Sequence, residues 1–364
     1  MLKRLLLFST LFYTLTLPFY EYFPRIFGLS IRTYVLAAIL IATLLTSKKY
    51  NEIDILLGLF LVIAFGSLLF SDFIVKSSLN VLINNILLFV IIRHNVSNKK
   101  DARMTLLVYA ASTLILGAVA LNMNSFIENR FRPFSIDPNE FGISIGVSLI
   151  VLIGIAWNSN PARKALLVAS SFFAAFFGYL TYSRTMVIAI AGAIFYSLRN
   201  NKYKWTLLAI AGLLIIILSP FYGKTLAGRI TELASPEGSL NQRTLLLSNA
   251  INLIPSYGVF GTGLFQSRPL ISKSTPLYET YPGDNRLSHN MYLTIWLELG
   301  IIGIALFIAI LSIAYKTNDE LLKTLLVFAM IAGLLYEMEL HTSFWIILAL
   351  CIATLKNPAK GERI

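Results

Sequence analysis

Cysteine, histidine and charged side chains are all scarce in this sequence of 364 residues. One cysteine, Cys351, and three histidines exclude a disulfide scaffold and a structural zinc site. Charged residues make up 13 % of the chain, about half the share found in soluble domains. Hydrophobic residues make up 57 %, and the mean hydropathy is +0.73. The composition therefore excludes a disordered chain, a coiled coil and a set of soluble domains, and it indicates a polytopic membrane protein.

The net charge of +12 does not indicate a nucleic-acid partner. The basic residues fall in short clusters between apolar runs, whereas a nucleic-acid interface gathers them on one face. Clusters of this kind set the orientation of a membrane protein.

Runs of about 20 apolar residues are long enough to cross roughly 30 Å of hydrocarbon. They predict an all-α, polytopic integral membrane protein with twelve transmembrane helices. The predicted helices cover residues 2–20, 30–46, 53–71, 74–92, 104–122, 140–157, 165–182, 185–198, 205–220, 290–314, 323–338 and 341–355. The last two flank a turn that contains Glu337, Glu339 and His341.

The distribution of basic residues predicts that both termini are cytoplasmic. With the N-terminus inside, eighteen of the 30 basic residues lie on the inner side, and every inner connection carries at least two. The first apolar segment is longer than the core of a signal peptide and lacks a small-residue cleavage site, so we expect it to be a membrane span.

Residues 221–289 are predicted to form one long extracytoplasmic loop between the ninth and tenth helices of a single membrane domain, 1–364. Several prolines interrupt this stretch. Within it, residues 241–254 predict a loosely amphipathic helix that ends at Pro255 and lies at the outer membrane interface. A loop of this length in a compact protein usually carries function.

Arginine is more frequent than lysine on the predicted outer face. A guanidinium group binds phosphate oxygens with two parallel hydrogen bonds and stays charged near lipid. An arginine-rich outer mouth therefore predicts an anionic, phosphate-bearing substrate at the membrane surface. The outer cations are Arg130, Arg132, Arg184, Arg229, Arg243, Arg268 and Arg286, with His289 beside them.

His289 is the strongest candidate for a general base. It lies where the outer loop enters the tenth helix, and nearby cations should lower its pKa and keep it neutral. A neutral imidazole beside a bound phosphate can accept the proton of an incoming hydroxyl. Alternatively, Ser288 or Asn290 caps the helix and His289 is an interfacial polar residue.

The other charged candidates each have a structural alternative. Arg184 and Arg243 either bind the substrate or extend towards lipid headgroups and solvent. Headgroup contacts are the favoured explanation for Arg130 and Arg132, and a buried partner for a cation is the favoured role of Glu298. The full set of candidates for substrate contact is Arg184, Arg243, Arg130, Arg132, Arg286 and Asn290, with Glu298, Glu337 and Glu339 as supporting residues.

Motifs for nucleotides and metals are incomplete. Gly223–Lys224–Thr225 resembles the end of a phosphate-binding loop, but position 218 is leucine instead of glycine. No pair of aspartates matches the site of a metal-dependent, nucleotide-sugar transferase. We therefore expect no nucleotide, metal or redox cofactor.

The segment around His289 resembles the bacterial O-antigen ligases. His289–Asn290, nine further residues and then Gly300–Ile301–Ile302–Gly303 match the family signature H-[NSQ]-x9-G-x-x-G. The order of other short elements agrees, and the resemblance spans residues 130–305. These elements are Asp137–Pro138–Asn139, Thr181–Tyr182–Ser183–Arg184, Arg243, Pro255 and Gly261–Thr262–Gly263. One departure is Ala305, where the family often has threonine.

This resemblance implies a metal-independent, inverting glycosyltransferase of the GT-C type. Its donor would be a glycan on a polyprenyl (undecaprenyl) diphosphate, and its acceptor would be lipid A–core or another glycan. Arginines matching Arg184 and Arg243 would hold the diphosphate, and the histidine matching His289 would activate the acceptor hydroxyl. The expected location is the cytoplasmic membrane, among its lipids, with the active site on the extracytoplasmic face.

Three alternatives remain open at this point. A polymerase of the same superfamily, which joins repeat units, would use the same donor, and so would an enzyme that transfers glycan to protein. A transporter or flippase for lipid-linked sugars would also explain the outer cations, but it predicts a polar path across the membrane. Inverted repeats typical of transporters are not evident.

Overall fold

The computed structural model describes residues 2–17, 25–26, 29–46, 52–71, 76–127, 130–157, 159–199, 239–274 and 288–355. These residues form α1 (Leu2–Thr16), α2 (Ile31–Thr46), α3 (Glu52–Gly66), α4 (Lys76–Asn95), α5 (Lys99–Asn122), α6 (Pro138–Ala156), α7 (Pro161–Thr181), α8 (Arg184–Ser197), α9 (Ser239–Tyr257), α10 (Ser267–Lys273), α11 (Met291–Ala314), α12 (Glu320–Leu335) and α13 (Thr342–Ala353). Three short 3₁₀ turns cover Ser67–Phe70, Pro133–Ser135 and Met338–Leu340.

Two small antiparallel ladders accompany the helices, and the sequence did not predict them. β1 (Arg25–Ile26) pairs with β2 (Leu29–Ser30), and β3 (Phe126–Ile127) pairs with β4 (Arg130–Phe131). Each strand has two residues, so the ladders shape connections and leave the protein all-α.

Eleven of the twelve predicted helices coincide with helices of the structure, and the predicted helix 205–220 lies outside the described residues. Within the part of the chain that is described, six helices are long and apolar enough to cross a membrane. Four further apolar helices are shorter. The all-α architecture is therefore confirmed, whereas the count of twelve spans stays a prediction.

Polar residues define where several helices begin. The Asp137 side chain accepts a hydrogen bond from the backbone N–H of Asn139 at 2.8 Å, and Pro138 opens the first turn, so α6 starts two residues before the predicted position. Ser183 caps α8 and Asn290 caps α11 in the same way. These caps place the residues next to them at the ends of rigid helices.

The short helix α13 lies at the centre of the bundle. Nearly all of its side chains are buried, and it packs against α4 and α12. Helix α6 packs against α5, α7 and α8, and α11 packs against α3 and α9. Hydrogen bonds of Arg130 link the start of α6 to the end of α7, and the Asn290 side chain links the start of α11 to the end of α12.

Helix α11 is interrupted at Gly300, whose φ is 69° and ψ −170°. The carbonyl oxygens of Leu297 and Glu298 accept hydrogen bonds from the backbone N–H groups of Thr262 at 2.7 Å and Gly263 at 3.0 Å. The backbone after α9 thus replaces the helical hydrogen bonds that the break removes. Close backbone contact and positive φ both require glycine at position 300, which explains this part of the sequence signature.

The predicted loop helix exists, but its predicted end was wrong. Helix α9 passes through Pro255 and ends at Tyr257, and the N–H of Gly258 still donates to Ile254 O at 2.7 Å. Proline removes one hydrogen bond, and in the last turn this loss is tolerated. One face of α9 packs on α10 and α11 through Leu246, Ala250, Ile271 and Leu297. Its placement at the membrane interface stays a prediction.

Candidate active site

His289 precedes α11 in a constrained backbone conformation. Its φ is 53°, in the left-handed region that costs a residue with a side chain about 1–2 kcal/mol. Hydrogen bonds on both sides hold this conformation: Asn290 N–H donates to Ser288 Oγ at 3.1 Å, and the Asn290 side chain caps α11 and donates to Leu334 O at 3.2 Å. Asn290 is therefore a structural cap, as the alternative reading of this segment expected.

The environment of His289 keeps its imidazole neutral. Burial and, to a smaller extent, the positive charge of Arg243 lower the pKa of His289 to about 4, whereas Asp137 opposes the change. Its Nδ1 is buried and has no hydrogen-bond partner among the residues that the structure describes. The Tyr336 ring lies beside it, with the two ring centroids 6.4 Å apart. The imidazole therefore has a nitrogen available to accept a proton.

Arg184 and Arg243 approach each other from different helices. Arg184 is the first residue of α8, and Arg243 lies on α9. Burial lowers the pKa of Arg243, and the positive charge of Arg184 lowers it further. Among the described residues, neither guanidinium forms a hydrogen bond or an ion pair. Two neighbouring cations without a paired carboxylate form a site suited to an anion with several oxygens.

The structure thus places Arg184, Arg243 and His289 in one cluster. His289 interacts electrostatically with Arg243, and Arg243 interacts with Arg184. The three residues come from segments more than 40 positions apart in the chain. Their catalytic and binding roles stay predictions.

Arg130, for which a lipid or substrate contact is predicted, forms hydrogen bonds within the protein. Its Nε donates to the carbonyl oxygen of Thr181 at 3.0 Å, and its Nη2 donates to Asn139 Oδ1 at 3.1 Å. It therefore joins the end of α7 to the start of α6. Arg132 is half-buried next to the β3–β4 ladder, and its backbone N–H donates to Ser125 O at 2.9 Å. Arg286 lies outside the described residues.

The three supporting glutamates lie together behind His289. Glu298 is buried in α11 and accepts a hydrogen bond from Ser267 Oγ at 2.5 Å. Glu337 is buried beside Arg268, with Oε2 3.7 Å from Nη2, and neither of its oxygens has a well-formed hydrogen bond. Burial raises the pKa of Glu337 to about 8 and that of Glu339 well above its usual range. Burial therefore favours the protonated form of both carboxyl groups, and the Arg268 guanidinium opposes this effect.

Three residues of this region were not chosen as site candidates from the sequence. Arg268 contacts Glu337 and also donates to Ser78 Oγ on α4 at 3.3 Å. Tyr336 lies beside His289, and Asp137 interacts with both His289 and Arg243. The unbalanced carboxylates of the last outer turn could have indicated Arg268 as their partner. No sequence signal indicated that Tyr336 lies beside His289.

The role of His341, which the sequence left open, is structural. Its Nε2 lies 3.0 Å from Glu140 O and its Nδ1 lies 2.7 Å from Ser343 Oγ, so both ring nitrogens are occupied. Burial lowers the pKa of His341 to about 4. His341 thereby fixes the first turn of α6 against the start of α13.

A small cavity opens next to this contact. It has a volume of about 70 Å³ and lies between α5, α6 and α13. Its polar lining includes Glu140, Ser144, Tyr109 and Thr342. Among the described residues, no group of three or more His, Cys, Asp or Glu side chains is placed to hold a metal ion.

The family comparison agrees with the motifs. The model of the O-antigen ligase family matches residues 169–308, a range that contains Arg184, Arg243, His289 and Gly300. No curated protein matches the chain. With its several apolar helices, the chain is a multi-pass membrane protein. The resemblance to the O-antigen ligases is thus confirmed over residues 169–308, the part of the chain that the family model matches.

Proposed function

We propose that the protein is a glycosyltransferase that moves a glycan from a polyprenyl diphosphate to an acceptor hydroxyl at the outer face of the cytoplasmic membrane. The observation that carries this proposal is that Arg184 and Arg243, which form no ion pair with any described residue, lie near the buried His289. This arrangement lies inside a domain whose family comprises glycan ligases and polymerases.

The reaction requires a proton acceptor and a place for negative charge. The acceptor hydroxyl gives its proton to the His289 imidazole while its oxygen attacks the anomeric carbon from the side opposite the diphosphate. The bond between that carbon and the diphosphate oxygen breaks, and its electron pair stays on the diphosphate. Arg184 and Arg243 stabilise the resulting charge. The anomeric configuration is inverted, and no ATP is needed because the donor bond supplies the free energy.

Donor binding would also increase the basicity of His289. In the free protein, Arg243 is one reason for its low pKa. A bound diphosphate would offset this positive charge, and an opposite charge within a few ångströms favours the protonated imidazole. The base would therefore be strongest when the donor is in place.

Lipid A–core is the acceptor that we favour, and the same residues would serve a polymerase or a protein glycosyltransferase. The topology that accompanies this proposal has twelve spans, cytoplasmic termini and an extracytoplasmic active site. It follows from the distribution of basic residues.

A transfer assay with purified protein in detergent tests the proposal. The assay combines a polyprenyl-diphosphate glycan with lipid A–core, and EDTA is present without nucleotide. We expect wild type to form product and His289→Ala to form none. His94→Ala is the matched control, because His94 lies far from the candidate active site. Along α4 it is about 24 Å from Ser78, the residue of that helix that contacts Arg268 near the site.

Each outcome of the assay discriminates between functions. Growth of polyprenyl-linked glycan in place of lipid A–core product would identify a polymerase. Transfer only to an added acceptor protein would identify protein glycosylation. Absence of covalent product from folded wild type with all donors and acceptors would contradict the proposal and favour transport of lipid-linked sugars.

A further inference from the structure

The candidate active site is divided into a basic half and an acidic half. The basic half consists of Arg184 and Arg243. The acidic half consists of Asp137 and Glu140, in the first turn of α6. Tyr336 interacts electrostatically with both carboxylates, and Asp137 interacts with both His289 and Arg243.

The acidic half is held rigidly in place. Arg130 fixes Asn139 with a hydrogen bond of 3.1 Å, and His341 binds the backbone carbonyl of Glu140 at 3.0 Å. Side chains on such a supported helix terminus keep their positions when a ligand binds. This half is therefore preorganised in the free protein.

Groups suited to sugar hydroxyls are available in this half. Asp137 is exposed, and its Oδ1 accepts the capping hydrogen bonds, which leaves Oδ2 without a partner among the described residues. The hydroxyl of Tyr336 is likewise unpaired within the described part of the chain, and its ring is half-buried next to His289. Glu140 also lines the cavity of about 70 Å³ between α5, α6 and α13.

The position of Asp137 identifies which part of the substrate it faces. In the proposed reaction, the transferred sugar lies between the diphosphate at Arg243 and the base His289. Asp137 interacts with both of these residues, so it lies beside that sugar. A carboxylate accepts hydrogen bonds from sugar hydroxyls and repels a carboxylated sugar.

We propose that Asp137, Glu140 and Tyr336 form the subsite for the transferred sugar, and that this subsite selects an uncharged or amino sugar over an acidic one. This inference rests on the proposed function. Asp137 and Glu140 accept hydrogen bonds from the sugar hydroxyls, and the Tyr336 hydroxyl donates one. The basic half binds the diphosphate, and the acidic half contacts the sugar and determines which sugar is accepted.

Two synthetic donors test the selectivity. They share the same polyprenyl diphosphate and differ only in carrying glucose or glucuronic acid. Binding to the full chain in detergent is measured by calorimetry for wild type, Asp137→Asn and Tyr336→Phe. Asparagine caps a helix as well as aspartate does, so Asp137→Asn removes the charge and keeps the start of α6. Asp101→Asn, in the first turn of α5, is the matched control.

We expect wild type to bind the glucosyl donor about tenfold more tightly than the glucuronosyl donor, the size of one repulsion between like charges near a protein surface. Asp137→Asn should bring the ratio close to one, and Asp101→Asn should leave it unchanged. Tyr336→Phe should lower the affinity for the glucosyl donor several-fold. Equal affinity of wild type for both donors would contradict the proposed subsite. So would a ratio of the two affinities that Asp137→Asn leaves unchanged.

A separate measurement tests the basic half, so that the two proposals can fail independently. Inorganic pyrophosphate should bind to wild type and to Asp137→Asn with similar affinity. Arg243→Gln should lower the affinity for pyrophosphate at least tenfold. Binding of pyrophosphate without discrimination between the donors would refute the sugar subsite alone. Pyrophosphate binding that does not depend on Arg243 would refute the proposed diphosphate site.

Discussion

The pH dependence of the reaction gives the most direct test of the environment assigned to His289. Burial and Arg243 lower the pKa of His289 to about 4, compared with 6.5 for an unperturbed imidazole. The difference corresponds to about 3 kcal/mol in favour of the neutral ring. Because kcat/KM reports the free enzyme, it should stay constant from about pH 8 to about pH 5 and fall tenfold per pH unit below about pH 4.

The acid limb of kcat should lie at higher pH than that of kcat/KM. In the proposed reaction, a bound diphosphate would offset the charge of Arg243, and an opposite charge within about 4–6 Å shifts a pKa by about 1–3 units. The two profiles should therefore differ by at least about one pH unit. Their separation depends on the contact between the donor and Arg243.

Initial rates across the pH range, at constant ionic strength and in the same detergent, provide both profiles. The protein is checked at each pH by size-exclusion chromatography, so that unfolding is not mistaken for a titration. An acid limb of kcat/KM near pH 6.5 would show a solvated imidazole and refute the assigned environment. If kcat and kcat/KM fall at the same acidic pH, donor binding does not raise the pKa of His289.

Three further predictions concern stability, each measured by thermal unfolding in detergent. Arg130→Gln removes the hydrogen bonds that join α6 to α7 and should destabilise the protein by about 2 kcal/mol; an unchanged unfolding temperature would contradict this structural role. Gly300→Ala should strongly destabilise the protein, because the added Cβ would overlap Val259 O and the φ of this position is positive. Gly58→Ala, in α3 with open space around it, should stabilise the protein by about 0.5–1 kcal/mol. Similar effects at both positions would argue against the backbone contact at Gly300. The pKa of His341 is lowered to about 4 in the folded protein, so below about pH 6.5 the unfolded chain binds one proton more than the folded protein. The free energy of unfolding should therefore fall between about pH 6.5 and about pH 4. An equally steep fall in a His341→Gln variant would show that His341 is not its cause.

Much of the architecture could be predicted from the sequence because hydropathy acts locally. Apolar runs long enough to span a bilayer located eleven helices, and Asn290 and Asp137 stand where capping residues are expected. The signature around His289 and Gly300 also indicated the resemblance to the O-antigen ligases, whose family model matches residues 169–308. Each of these conclusions depends on neighbouring residues or on short spacings.

Some sequence-based expectations failed where contacts between distant segments decide the outcome. The sequence did not indicate that Arg130, expected at lipid headgroups, also donates hydrogen bonds to Thr181 and Asn139. Helix α9 was expected to end at Pro255, but it continues to Tyr257. Neither result can be derived from local composition, because both depend on where other helices lie.

The sequence by itself determined that this chain is a helical membrane protein, and it predicted the arginines of the outer face and a histidine at a helix start. Only the tertiary structure decided that Arg184, Arg243 and His289 meet, and that Asp137 and Tyr336 lie beside them. The physical reason is that burial and electrostatic interaction depend on distances in space. Residues far apart in the chain acquire those distances only when the helices pack.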